Sequence, residues 1–229
     1  MKKFWAYISN GKYSVGTTGQ TVYLYNEHGD EIGKFKDIIY AYTPMFSPDG
    51  KIFVVKSTDG SLAVYSLENH SLIKKFRFSK FDAAQDEGFC FSEDGKYFVN
   101  LESHGKDGLH NAITLYETSD FSEVSQLMFY GDIVPTYIEF DSNTQEYYVL
   151  GIIRDYNIVG FIAKYKNNDI VDMIKISEDD YDFYDGYFGL KMGGFTEKAH
   201  QWSRLKNEDL EFLKSMNISL ARLYDKHSV

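Results

Sequence analysis

Five carboxylates crowd the stretch SEDDYDFYDGYF, where Glu178, Asp179, Asp180, Asp182 and Asp185 interleave with Tyr181, Phe183 and Tyr184. Such a mixture suits two kinds of chemistry. Carboxylate oxygens bind hard cations, and Asp180, Asp182, Asp185 and Gly186 run close to the opening of a calcium-binding EF-hand loop. The last aspartate stands one place late and no bidentate glutamate follows at the required distance, so no metal is assigned. The other chemistry is recognition, in which carboxylates meet Lys or Arg of a partner and aromatic rings supply buried anchors. Residues 178–185 are therefore the candidate partner-binding segment, with a solvated acidic connector as the plain alternative.

Nucleophilic and metal chemistry find less to work with. The histidines are His28, His70, His104, His110, His200 and His227, and none forms a His-x-x-x-His pair or joins a Cys-x-x-Cys motif. His104 and His110 flank GKDGL in a long hairpin and face each other if both legs are extended; solvated loop positions are the simpler account. Cys90 is the one cysteine, so no intrachain disulfide forms, and before Phe91 in a strand it reads as a small apolar residue. Glu102, Glu139 and Asp155 are carboxylates of the type that would converge on a ligand at a channel mouth, selected by residue type alone. No catalytic residue and no cofactor site is assigned.

The elements that must position these residues announce themselves by repetition. MFSPDGKIFVV, Met45 to Val55, returns as CFSEDGKYFVN, Cys90 to Asn100. Looser copies flank the pair, with Asn10-Gly11-Lys12 at one turn and Asp141-Ser142-Asn143 at another. Downstream of each turn a tyrosine recurs: Tyr25 in TVYLYN, Tyr65 in SLAVYS, Tyr116 in AITLYE and Tyr165 in FIAKYK. A further apolar segment follows each one: EIGKFK, SLIKKFRF, EVSQLMF and IVDMIKI. Asp49-Gly50 and Asp94-Gly95 between apolar runs are hairpin signals, because glycine takes a positive φ without steric cost. Each unit thus reads strand–turn–strand–turn–strand–turn–strand.

Four antiparallel strands in a unit of about 40–50 residues make a propeller blade. On the Phe-Ser-x-Asp-Gly-Lys turns, closely over residues 44–56 and 89–101 and weakly over 1–35 and 137–176, the chain resembles WD-repeat and related bacterial propellers. It lacks their Gly-His pair, and Tyr65 and its equivalents stand where Trp-Asp would close the third strand. The resemblance implies a propeller and transfers no activity. The expected fold is all-β, with blades at about 1–37, 38–80, 81–131 and 132–177. An acidic-aromatic connector follows at 178–195 and contributes at most one extra strand.

The tail, 196–229, changes period. Phe212, Leu213, Met216, Leu220 and Leu223 share one side of a helix of roughly five turns, with Asn207 as its N-cap and Glu208 and Asp209 in its first turn. Glu211, Lys214, Ser215 and Arg222 take the other side. Thr196 to Leu205 suits a shorter helix ahead of it. The helical tail is expected to pack on the propeller.

A net charge of −10 without a basic cluster argues against nucleic acid and anionic membrane, and favours a basic protein partner. At 43% hydrophobic and 25% charged residues the chain is globular, and its 17% aromatic content suits strands. Its first residues lack the apolar run of a signal peptide, so a cytoplasmic protein is expected. Non-catalytic protein–protein interaction is the leading expectation, an antitoxin- or immunity-like shield for a basic toxin being one form of it. The alternative is a propeller that binds carbohydrate or small ligands, or hydrolyses them, at its channel mouth. A third is a truncated propeller that a second copy completes.

Overall fold

The computed structural model describes residues 2–78, 88–103, 110–154, 158–167, 169–202, 205 and 210–228. Among these residues sixteen strands make four sheets of four, each an antiparallel meander in chain order. Blade 1 is β1 (Ala6–Ser9), β2 (Tyr13–Thr17), β3 (Val22–Asn26) and β4 (Glu31–Phe35). Blade 2 is β5 (Ala41–Phe46), β6 (Ile52–Ser57), β7 (Ser61–Ser66) and β8 (Leu72–Arg77). Blade 3 runs through β9 (Phe89–Phe91), β10 (Tyr97–Ser103), β11 (His110–Glu117) and β12 (Glu123–Tyr130). Blade 4 runs through β13 (Ile133–Asp141), β14 (Glu146–Arg154), β15 (Ile158–Lys166) and β16 (Asp169–Ile176). This is the all-β, propeller-type repeat, with short helices after the last blade.

The repeated phrase is a hydrogen-bonded turn built twice. The Ser47 hydroxyl donates to Asp49 Oδ1 at 2.7 Å and accepts from Ile52 N at 3.2 Å, while Lys51 N donates to Asp49 Oδ1 at 3.1 Å. In blade 3 the Ser92 hydroxyl donates to Asp94 at 2.7 Å and accepts from Tyr97 N at 3.0 Å, and Lys96 N donates to Asp94 at 3.1 Å. Gly50 and Gly95 take φ of 66° and 69°, the left-handed region that glycine enters freely. The serine hydroxyl, more than any other contact, holds both aspartates below the ordinary carboxylate range. The motif closes a turn, and every member of it is engaged in that task.

The tyrosine marker has an equally local meaning. In all four blades the ladder between the third and fourth strands slips at that residue. Tyr25 pairs with Glu31 while Leu24 pairs with Gly33, and Tyr65 pairs with Leu72 while Val64 pairs with Lys74. Tyr116 pairs with Glu123 while Leu115 pairs with Ser125, and Tyr165 pairs with Ile170 while Lys164 pairs with Asp172. The residue left over is β-branched every time: Ile32, Ile73, Val124 and Val171. A bulge of this kind bends the outermost strand and spoils its free edge as a template for another chain.

Contacts divide the chain into two compact units, Met1–Gln85 with Gly186–Lys214 and Asp86–Asp185 with Ser215–Val229. In the first unit, Val15, Val22 and Leu24 of blade 1 meet Phe53, Val55 and Tyr65 of blade 2 in one apolar core. Tyr65 packs against Phe35 and Phe53 at 4.5 and 4.9 Å between ring centres. In the second unit, Val99, Leu101 and Ile113 of blade 3 meet Val149, Phe161 and Tyr165 of blade 4. Phe129 meets Tyr165 edge-on at 5.5 Å. Burial pushes the Tyr165 hydroxyl up to about 12, and it has no hydrogen-bond partner among the described residues.

After blade 4 the segment read as a connector, with at most one extra strand, forms a helix instead, α1 (Glu178–Gly193). The Ser177 hydroxyl accepts from Asp180 N at 3.1 Å and donates to the Asp180 carboxylate at 2.7 Å, an N-cap that starts the helix. Glu178, Asp179 and Asp180 in the first turn suit the positive end of the helix dipole. Tyr184, Tyr187, Phe188 and Leu190 are buried, and tyrosine spacing of this kind is helical. A short α2 (Glu197–Trp202) follows, capped by the Thr196 hydroxyl, which accepts from Ala199 N at 2.9 Å.

The expected five-turn tail helix is broken. It forms α3 (Leu210–Ser215) and α4 (Leu220–His227), with Ser219 in extended conformation between them. The Ser219 hydroxyl accepts from Arg222 N at 3.3 Å and restarts the helix. Asn217, Ile218 and Ser219 are middling helix formers in succession, and a capping serine offers the chain an exit. Leu213, Leu220 and Leu223 are buried as the periodicity implies, whereas Phe212 is 63% exposed. Asn207, Glu208 and Asp209 lie outside the described residues.

Candidate functional site

The acidic-aromatic segment occupies the start of α1, so its side chains radiate around a helix instead of lining a loop. Glu178 and Asp179 are exposed. Asp180 is engaged by Ser177, and Asp182 and Asp185 are half-buried. The rings serve the chain's own packing. Tyr181 donates to Asp185 Oδ1 at 3.3 Å, burial and then that carboxylate pushing its hydroxyl well above the usual range. Tyr184 hydrogen-bonds His227 Nε2 at 3.0 Å, and Phe183 leans edge-on against Tyr184 at 5.9 Å. Because Asp180, Asp182 and Asp185 are helical, they cannot wrap a cation as an EF-hand loop does. Among the described residues, no group of three or more His, Cys, Asp and Glu is placed to hold a metal ion.

The type-selected carboxylates do separate work. Glu102 is 2% exposed and accepts from the Tyr116 hydroxyl at 2.5 Å and from Asn100 Nδ2 at 3.1 Å. Burial, followed by the Glu102 carboxylate, raises Tyr116 far above the usual tyrosine range. Asn100 Oδ1 has no partner among the described residues. Glu139 accepts from Leu220 N at 2.7 Å and so caps α4. Asp155 lies outside the described residues.

The histidines are equally dispersed. His28 is exposed beside Glu27, and His70 occupies a turn with φ of 52°. His200 is buried in α2, and His227 meets Tyr184. The His104–His110 pairing falls outside the described side chains. Cys90 is half-buried in β9 at the border of the second unit's core.

Two clusters that single residues did not advertise are more complete. In the first unit, Lys2 lies over the Tyr23 ring at 3.9 Å and 5.7 Å from the Tyr25 ring. Its ammonium donates to the Tyr25 hydroxyl at 3.3 Å and pairs with the Glu31 carboxylate, whose bond is the chief cause of a raised Lys2 pKa. Tyr23, Tyr25 and Glu31 fall on one face of blade 1 by strand alternation, and no periodicity links them to Lys2. In the second unit, Lys164 pairs with Glu146 at 2.9 Å, between the rings of Tyr148 and Tyr224 at 5.6 and 5.9 Å. Tyr148 donates to Glu146 at 3.2 Å and Tyr224 to Asp172 at 2.9 Å. The pair shifts reciprocally, Glu146 downward and Lys164 upward, each chiefly through their mutual bond.

The first unit also holds a largely apolar groove of about 510 Å³ between Tyr7 and Ile8 of β1, Pro44 to Phe46 of β5 and Met192 of α1.

No family model matches the chain, and no curated protein matches it in sequence. Among solved structures it is similar to hydrazine synthase of Kuenenia stuttgartiensis, with a TM-score of 0.59 and 18% identity. That similarity takes in 74% of this chain and 47% of that one. Identity so low shows a shared β-rich, propeller-like fold and nothing of activity. No helix among the described residues is long and apolar enough to cross a membrane.

Proposed function

We propose that the chain is a non-catalytic, divergent relative of the WD-like bacterial propellers that captures a basic protein in the cytoplasm, an antitoxin- or immunity-like shield being one form of that role. One observation carries the reading: Glu102 and Glu139, candidates for channel-mouth chemistry, are consumed by Tyr116, Asn100 and the start of α4, whereas Glu178 and Asp179 at the start of α1 are presented to solvent. Exposed carboxylates on a chain of net charge −10 speed encounter with a positive surface and select against acidic partners.

The test is affinity capture from native lysate with mass spectrometry, repeated with Glu178→Gln/Asp179→Asn and at raised salt. Recovery of a basic protein that falls in both conditions is the expected result. Recovery indifferent to salt and to the substitutions would remove the electrostatic reading. The apolar groove favours a second reading, a small ligand held beside β1 and β5, since its size suits one. Saturable binding in a small-molecule screen, lost in Met45→Asp, would establish it.

A further inference from the structure

We infer that the Tyr23–Tyr25–Glu31 cluster on blade 1 is a binding site for the alkylammonium group of a partner's lysine, and that Lys2 fills it in cis. The inference rests on the reading of a basic partner only for the source of the incoming lysine; the site stands on its own geometry.

The cluster already holds a cation. Tyr23 and Tyr25 stand two apart in β3, so their rings share a face, stacked 6.4 Å apart with 22° between planes. Glu31, paired with Tyr25 across the bulge, supplies the counter-charge at their edge. An ammonium over a tyrosine face, bonded to a hydroxyl and beside a carboxylate, has the three contacts that recognise a lysine head group. A neutral side chain of equal length would satisfy none of them.

The occupant is separable from the structure that carries it. Phe4 anchors the segment: a Cβ on Gly16 would lie 2.6 Å from its ring, and Trp5 N donates to Thr17 O at 2.8 Å. Lys2 precedes that anchor, its side chain 43% exposed and that of Glu31 37%. An ion pair so wet is weak. Lys2 can therefore leave while Phe4 stays. Lys34, whose ammonium lies 5.7 Å from the Tyr23 ring against 3.9 Å for Lys2, flanks the cluster and does not fill it. A cage filled about two times in three by its own lysine, as a weak exposed pair allows, weakens an incoming one about threefold, so the N-terminal segment acts as a built-in competitor.

The test is a titration with Nα-acetyl-lysine methylamide, read on the ring resonances of Tyr23 and Tyr25 in tyrosine-labelled protein. In Lys2→Ala, and equally in Lys2→Met, both rings are expected to shift with a half-saturation about threefold below that of the parent chain. Nα-acetyl-norleucine methylamide should shift neither ring, and Glu31→Gln added to Lys2→Ala should abolish the response. Equal half-saturation in parent and variant, no saturable response in Lys2→Ala, or an equal response to norleucine each overturns the proposal. Circular dichroism of the variants excludes a loss of fold as the cause. Because the probe is defined, the titration fails or succeeds independently of whether capture finds a partner.

Discussion

Blade 1 and blade 4 meet the same physical problem with different material. Each packs one face on the other blade of its unit and covers the second face with chain from beyond the strands. On blade 1 the cover is slight: Phe4 lies on Gly16, and Lys2 sits in the tyrosine cage. On blade 4 it is helical: Tyr181 of α1 packs against Gly160, where a Cβ would come within 2.6 Å of its own Cβ, and α4 lays Leu220, Leu223 and Tyr224 over the sheet. Both covers set a lysine between tyrosines and beside a glutamate. Lys2 is 43% exposed and belongs to the cover, whereas Lys164 is 22% exposed and belongs to the blade. The same chemistry is thus a lock where less water reaches it and a replaceable plug where more does. Coulomb attraction and cation–π contact both weaken with hydration.

That contrast can be broken most forcefully at the apolar anchors. Leu220→Ala removes a fully buried side chain from α4 and should cost about 2–4 kcal/mol, read from the urea midpoint. Phe4→Ala, from a half-buried ring, should cost about half as much. A similar cost at both sites would mean that the two covers are energetically equivalent.

The close approaches come next. Gly160→Ala drives a methyl into the root of Tyr181 and should cost about 1–3 kcal/mol, while Gly16→Ala meets one edge of the Phe4 ring, from Cγ to Cε1, on a half-buried side chain that can lift away, and should cost about 1 kcal/mol or less.

The lysines sharpen the comparison further. Lys164→Met should cost about 1 kcal/mol and loosen α4, measured as faster amide exchange at Leu223 and Tyr224. Lys2→Met should move the midpoint less than Lys164→Met does, since its pair is the more exposed of the two. The pH dependence carries a definite sign. Glu146 is lowered from an ordinary 4.5, so its contribution is complete above that pH and is lost as pH falls through its depressed value. Lys164 is raised from 10.5, so its contribution is complete below that pH and is lost as pH rises through its elevated value. α4 protection should be flat between those limits and fall outside them, and Lys164→Met should flatten both limbs. Smallest of all, Tyr165→Phe deletes a buried hydroxyl without a partner among the described residues and should change stability by less than about 0.5 kcal/mol, or raise it.

How far the molecule was legible in advance follows from how local each interaction is. The Ser47–Asp49 and Ser92–Asp94 turns close within a few residues, so their identical hydrogen bonds appear as identical letters. The recurring tyrosine was visible as a repeat, but its bulge was not, because the slip is defined only against the fourth strand. That the connector 178–195 folds as α1 was hidden because acidic residues suit a loop and tyrosine and phenylalanine favour sheets; the Ser177 cap and the spacing of Tyr181, Tyr184 and Phe188 are the signals of a helix. The tail was read as one helix because its apolar period runs unbroken through Asn217–Ser219, while Ser219 breaks it by capping. Of the acidic-aromatic segment, the sequence showed its composition but not that Tyr184 and His227 would hold it to the chain.

From its order of residues alone, this protein settles the turns, the strand repeats and the charge, since backbone preference, short-range hydrogen bonds and ionisation need only near neighbours. Which carboxylates stay in water, which lysine is locked and which is a plug, and where the helices lie against the strands depend on groups far apart in the chain. Burial sets the strength of those contacts, and burial exists only once the sheets have packed.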